Sequence, residues 1–270
     1  MKSKASSYPY LIWMAIFIIV PLAMIVFFAF TNSNGRFTLE NLAGLGKYMP
    51  VLLRSLKLAA ISTVICLIIA YPIALILMQS KASSQKMMLM LVMLPMWMNF
   101  LLRTYAWMTL LEKNGLINRF LGIFGIGPFE MINTQGAVVL GMVYNYLPFM
   151  ILPLYSVMMK IDKSVIEAAQ DLGSNSFHVF SKVIFPLSLP GVMSGITMVF
   201  VPAISTFIIS KMLGGGGNLL VGDLIELQFL GNAYNPNLGA AMSLVLMVII
   251  LICMGIMNRF GDEESRGMMI

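Results

Sequence analysis

The chain has 270 residues, of which 59% are hydrophobic and 10% charged, with a formal net charge of +6 and a mean hydropathy of +0.90. A soluble domain is about 45–50% apolar and about 25% charged, and a globule of this size buries only about 70–75% of its chain surface. Disorder, a secreted disulfide scaffold and an ordinary cytosolic enzyme are thereby excluded, which leaves an integral membrane protein.

A spanning helix needs about 20 mostly apolar residues. Six stretches meet this in chain order: Tyr10–Phe30, Leu58–Met78, Met87–Leu111, Ala137–Met159, Leu187–Ile209 and Leu238–Met257. The first follows Lys2 and Lys4 like a signal peptide. Its apolar run exceeds the 7–15 residues of a signal core, roughly, and no small-x-small cleavage site follows, so it is kept as a span. The eleven acidic residues all fall between or beyond the spans, and Arg103 alone places a charge well inside one. Prolines lie within the spans, among them Pro21, Pro72, Pro95, Pro148, Pro153 and Pro202. Such residues free carbonyls that neighbouring helices or a wet cavity must satisfy.

Six spans put both termini on one side. With the N-terminus inside, the inner segments carry Lys2, Lys4, Lys81, Lys86, Lys160, Lys163, Lys182, Arg259 and Arg266. The outer segments, longer together, carry Arg36, Lys47, Arg54, Lys57, Lys113, Arg119 and Lys211. The higher inner density predicts cytoplasmic termini.

Little in the chain supports catalysis or metal binding. Cys66 and Cys253 lie in apolar runs, His178 is the only histidine, and the 26 methionines are scattered through the spans. No catalytic residue and no metal site are expected, and no basic cluster with interleaved aromatics points to nucleic acid.

The connection between the fourth and fifth spans, 160–186, is different in character. Ser164 and Glu167 have capping-box spacing, which predicts a helix starting near Ser164. Val165, Ala169 and Leu172 fall on one stripe. Gly173 is placed to end the helix in a left-handed conformation, and a second helix runs from Ser174 to Pro186. Glu167-Ala168-Ala169, then Gly173, then Val183-Ile184-Phe185-Pro186 resembles the signature of permease subunits of binding-protein-dependent ABC importers. That signature is Glu-Ala-Ala, three residues, Gly, nine residues and Ile-x-Leu-Pro; valine and phenylalanine here are apolar departures.

The resemblance implies a type I ABC importer permease fold over the single domain 1–270. It implies that Glu167, Ala168, Ala169, Asp171 and Gly173 form a coupling helix docked on a cytoplasmic ATPase. Ala168 and Ala169 would permit close approach, and Glu167 and Asp171 would offer charge to basic groups. It further implies a second homologous permease, an ATPase dimer holding the ATP and Mg, an external or periplasmic substrate-binding protein, and no cofactor on this chain.

Leu94 to Trp107, reading Leu-Pro-Met-Trp-Met-Asn-Phe-Leu-Leu-Arg-Thr-Tyr-Ala-Trp, resembles the third span of spermidine/putrescine importer permeases. Asn114–Asn118, Leu213–Gly222 and Gln228–Leu230 extend the similarity, which runs from about Tyr8 to Phe260 and is strongest to the first of the two permeases. Where those permeases often carry an acid before the Leu-Gly-Gly run, this chain has Lys211. A polyammonium substrate needs carboxylates, carbonyls or aromatic faces in place of its water. Trp97, Tyr105, Tyr144, Asp223 and Glu226 are the candidates, the last two one helical turn apart on the outer loop after the fifth span. Arg103 would repel such cargo and is expected to form a structural or gating pair with an outer-loop acid or with kink-freed carbonyls. Rival readings are the same machine with thiamine, ferric iron or sulfate as cargo, a secondary transporter, which would want ionisable groups within its spans, and, remotely, an intramembrane hydrolase.

Overall fold

The computed structural model describes residues 8–267; Lys2 and Lys4 lie outside the described residues, as does the side chain of Arg266. Among the described residues the chain is helical apart from turns and an isolated bridge between Thr31 and Phe37. Five helices are long and apolar enough to cross a bilayer. They are α1 (Pro9–Ala29), α2 (Met49–Gln79), α6 (Gln135–Met158), α8 (Ser176–Ser205) and α11 (Pro236–Gly267). A bent pair of helices is apolar enough, taken together, to be a sixth candidate crossing. α3 (Ala82–Trp97) and the segment Phe100–Ile123, comprising α4 (Phe100–Leu111) and α5 (Leu116–Ile123), meet at 88°. The short helices α7 (Lys163–Asp171), α9 (Ile208–Leu213) and α10 (Val221–Leu230) complete the fold.

Three of the expected spans differ in extent. α2 begins at Met49, with Pro50 in its first turn where a missing N–H costs nothing. The apolar window beginning at Leu58 excluded Arg54 and Lys57, although the helix runs through both. The third span is not continuous. Met98 and Asn99 are extended, and the Asn99 Oδ1 accepts from the N–H groups of Leu101 (2.8 Å) and Leu102 (3.3 Å). A side chain that satisfies the orphan donors of a new helix start competes successfully with helix continuation. The fifth span ends at Ser205, because Thr206 is extended (φ −63°, ψ 143°), and α9 restarts the chain in another direction.

The core lies where α2, α6 and α8 pack on one another. α2 presents a buried stripe of small residues at three- and four-residue spacing: Ala59, Ser62, Cys66, Ala70 and Ala74. α6 fills it with Met142, Met150, Ile151 and Leu154. α8 approaches α6 even more closely through Gly191 and Gly195. A Cβ on Gly191 would lie 3.0 Å from the Pro153 carbonyl oxygen, and one on Gly195 would lie 2.6 Å from the Met150 sulfur. Small residues four apart let helix backbones meet in lipid, where packing rather than water exclusion drives association. α1 stands apart. None of its apolar window is buried, and only its C-terminal end, through Ile25 and Phe28, packs with Ala240 and Ala241 of α11.

Candidate functional site

The 160–186 connection contains α7 and the first turns of α8, with two corrections to the expectation: the second helix begins at Ser176 and does not stop at Pro186 but runs on into the fifth span, and α7 is capped by a different residue. The cap of α7 is Asp162, whose Oδ1 accepts from the Ser164 N–H at 3.0 Å, and the helix begins at Lys163. That N–H holds the exposed Asp162 carboxyl below the usual carboxylate range. Ser164 and Glu167 therefore do not form the reciprocal box, since an aspartate two residues earlier takes the donor.

At the other end Gly173 has φ +82°. Its N–H donates to the Gln170 carbonyl at 2.8 Å, and the Ser174 N–H reaches the Ala169 carbonyl at 3.1 Å. This double closure needs a left-handed residue at position 173. The inward side of α7 is Ile166 and Ala169, whereas Val165 is exposed and Leu172 is 87% exposed. The stripe Val165–Ala169–Leu172 is thus not the buried face. Leu172, Val165 and Phe177 leave apolar surface uncovered, with Glu167, Ala168 and Asp171 also exposed beside it.

Beneath α7 lies a groove of about 500 Å³ lined by Met78, Gln79, Glu167, Gln170 and Phe180, so the helix is only loosely seated on the ends of α2 and α8. The joint above it is firm. Tyr71 on α2 shares a 2.7 Å hydrogen bond with Ser188 on α8, and its ring meets Phe180 and Phe185.

The second region is where the broken helices meet. α9 packs on α4 and α6. Trp107 on α4 meets Tyr144 on α6 edge to face, with ring centroids 5.4 Å apart. Trp97 ends α3 at the break and is exposed, as is Tyr105 on α4. The structure thus joins Tyr144 to Trp107 and leaves Trp97 and Tyr105 as open aromatic faces. Asn99→Ala should fray the first turn of α4 and cost about 0.5–2 kcal/mol. Faster hydrogen exchange at the Leu101 and Leu102 amides would report it; unchanged protection would mean that something other than the cap sets the break.

Arg103 is 7% exposed, and its Nε and Nη1 have no hydrogen-bond partner. Its Cζ sits 5.9 Å from the Phe100 ring centroid, in cation–π range. The expected pair with an outer-loop acid or freed carbonyls is not formed among the described residues, and two of those acids, Asp223 and Glu226, are engaged elsewhere. Asp223 is 1% exposed, and its Oδ2 accepts from the Leu220 N–H at 2.7 Å, capping α10. Burial pushes its carboxyl up, opposed by Ser210 and the Leu220 N–H. Glu226, one turn on, binds the Lys211 Nζ through both oxygens at 3.0 Å. The two acids offered as a pair of substrate candidates are therefore one buried cap and one ion-paired carboxylate. The Lys211 pairing was not legible, since 15 residues and two short helices separate the partners.

Residues 3–262 match the family described as binding-protein-dependent transport system inner membrane component. The chain is 37% identical over 264 residues to the spermidine/putrescine transport system permease protein PotB of Haemophilus influenzae, covering 94% of this chain and 92% of that one. It is 37% identical over 248 residues to the protein of the same name from Escherichia coli K12, covering 88% and 90%. In fold it is similar to a bacterial ABC transporter involved in the import of the acidic polysaccharide alginate, with a TM-score of 0.83 at 16% identity over 96% of this chain and 94% of that one. The chain belongs to the binding-protein-dependent transport inner membrane components, and is a permease subunit of an ABC importer whose ATP hydrolysis falls to a separate subunit.

Proposed function

We propose that this subunit imports polyamines, spermidine or putrescine, together with a second homologous permease, two copies of a cytoplasmic ATPase carrying ATP and Mg, and an external binding protein. The observation that carries the cargo is the 37% identity over nearly the whole chain to permeases named for spermidine and putrescine. The chemistry agrees. A polycation must exchange its water for carboxylate, carbonyl or aromatic contacts, and Trp97 and Tyr105 offer open aromatic faces beside the helix breaks while Glu226 already receives an ammonium.

The 160–186 connection acts as the coupling element, with both termini on the cytoplasmic side as the basic residues predict. The exposed Val165, Leu172 and Phe177 are the surface that an ATPase cleft would cover, and Glu167 and Asp171 supply charge at its edge. The transmission has a physical basis. α7 rests over a groove and contacts mainly the first turns of α8, while Tyr71 and Ser188 fasten those turns to α2. ATP closing the ATPase dimer would carry α7 with it and turn α8 and α2 together, shifting the subunit pair from inward- to outward-facing. Each ligand shifts this equilibrium only by its preference for one state.

The test is ATP hydrolysis by the reconstituted complex of both permeases, ATPase and binding protein, over a panel of spermidine, putrescine, thiamine, ferric iron and sulfate. Stimulation of several-fold by a polyamine alone is expected. Stimulation by another member of the panel, and none by either polyamine, would overturn the cargo assignment.

A further inference from the structure

We propose that Lys211 is a built-in competitor for the substrate, seated on the carboxylate that receives the polyamine's terminal ammonium, and that it sets how tightly the permease holds its cargo. The inference rests on the polyamine reading above. Chemically, the end of a lysine side chain is a primary ammonium on a four-carbon stem. Putrescine is the same four-carbon stem with an ammonium at each end, and spermidine contains it.

The Lys211 Nζ lies 3.0 Å from both Glu226 oxygens. The geometry required to seat an alkylammonium on this carboxylate is therefore already realised, by a group that belongs to the protein.

The surroundings make the seat displaceable. The Lys211 side chain is 59% exposed and that of Glu226 24%. An exposed pair of this kind is held weakly, because water and salt screen it and the long stem loses freedom. The lysine stands in the last turn of α9, just beyond the break at Thr206, with Ile209, Ser210 and Leu213 as its buried face. Its stem can leave Glu226 without moving the helix.

The second acid on this helix is not part of the seat. Asp223 sits one turn before Glu226 on α10, and its Oδ1 is buried with no hydrogen-bond partner. Asp223 is 1% exposed and caps α10, and the Lys211 ammonium bonds Glu226 and not Asp223, so Glu226 alone is the seat. A substrate amine exchanging with Lys211 replaces one ammonium–carboxylate contact by another, so the net gain is small. The lysine is released to solvent, where it keeps its charge and repels the departing amine from behind. Such a seat favours passage over retention, as a transport pathway requires.

The test is equilibrium binding of radiolabelled spermidine to the purified complex of both permeases and ATPase in nanodiscs, without the binding protein. Lys211→Met removes the competitor and keeps the stem. It should tighten spermidine binding about threefold, the scale of an exposed ion pair. Lys211→Arg should weaken it, because a guanidinium grips the carboxylate with a matched fork. Glu226→Gln should weaken binding, and Lys211→Met added to Glu226→Gln should then produce no tightening.

A structural ion pair alone would behave otherwise. Lys211→Met would lower the melting temperature and leave spermidine affinity flat, which overturns the proposal; tightening that persists on the Glu226→Gln background overturns it as well. Should Lys211→Met fail to assemble, the opposite shift predicted for Lys211→Arg decides the matter. The outcome separates from the cargo assignment: a wild-type complex stimulated by polyamines, with flat Lys211 variants, discards the competitor and keeps the cargo. A wild type that ignores polyamines discards both.

Discussion

Replacing Gly195 with leucine is expected to prevent α8 from seating on α6. The bare Cβ would already lie 2.6 Å from the Met150 sulfur and 3.3 Å from its carbonyl oxygen. Met150 is completely buried, so the thioether has no open side to swing toward. One turn earlier, Gly191 meets the Pro153 carbonyl and the Val157 Cβ at 3.0 Å, so the helix cannot slide along its neighbour to make room. Overpacking a filled core costs about 1–3 kcal/mol when side chains can adjust, and here backbone must move. The purified subunit should lose most of its monodisperse yield and melt several degrees lower. Gly255→Leu on α11, where a Cβ would meet nothing within 4 Å, is the control and should behave as wild type. A Gly195→Leu protein that melts with the control would refute the close α6–α8 contact.

Glu167→Arg should leave a folded, membrane-inserted subunit that no longer holds the ATPase. Glu167 is exposed at the rim of the groove under α7 and is not part of the core, so the fold has little reason to respond. Reversing a charge at the edge of an interface sets like charges against each other, which costs several kcal/mol and slows association. Gly173→Val should produce the same loss by another route. There is open space around Gly173, but φ +82° is strained for any β-branched side chain, and α7 would have to change its ending. Co-purification of the ATPase and transport by the reconstituted complex are the readouts. Normal values for both variants would remove α7 from the docking surface.

How far the sequence could be read depended on the range of the interaction. Apolar runs placed the crossings because hydropathy is a local sum, and the motif around Glu167 marked α7 because its glycine and proline sit at fixed offsets. Gly173 is left-handed, as its place after the helix predicted. The break at Asn99 was hidden, since Met98 and Phe100 continue the apolar run and a single amide side chain decides the matter. The cap of α7 was misplaced by two residues because Asp162 and Ser164 are both competent caps, and backbone placement selects between them. Asp223 and Glu226 were identified as a pair by their spacing, yet one caps α10 and the other meets Lys211, contacts settled by how α9 and α10 fold back. The Gly191–Gly195 contact has a readable spacing, but its partner helix is known only once α6 and α8 are docked.

The exposure of α1 has a consequence for how this gene can change. More than half of the apolar window of α6 is buried, and none of that of α1 is. Within this chain, a residue on α6 answers to the shape of several neighbours, so substitutions there must be compensated elsewhere. The N-terminal half of α1 meets no packed core of this chain, so what constrains it must come from the lipid or from a partner subunit. Substitutions there are registered by no other helix of this chain, so variation in α1 between relatives reports on its surroundings in the membrane and not on this chain's own core.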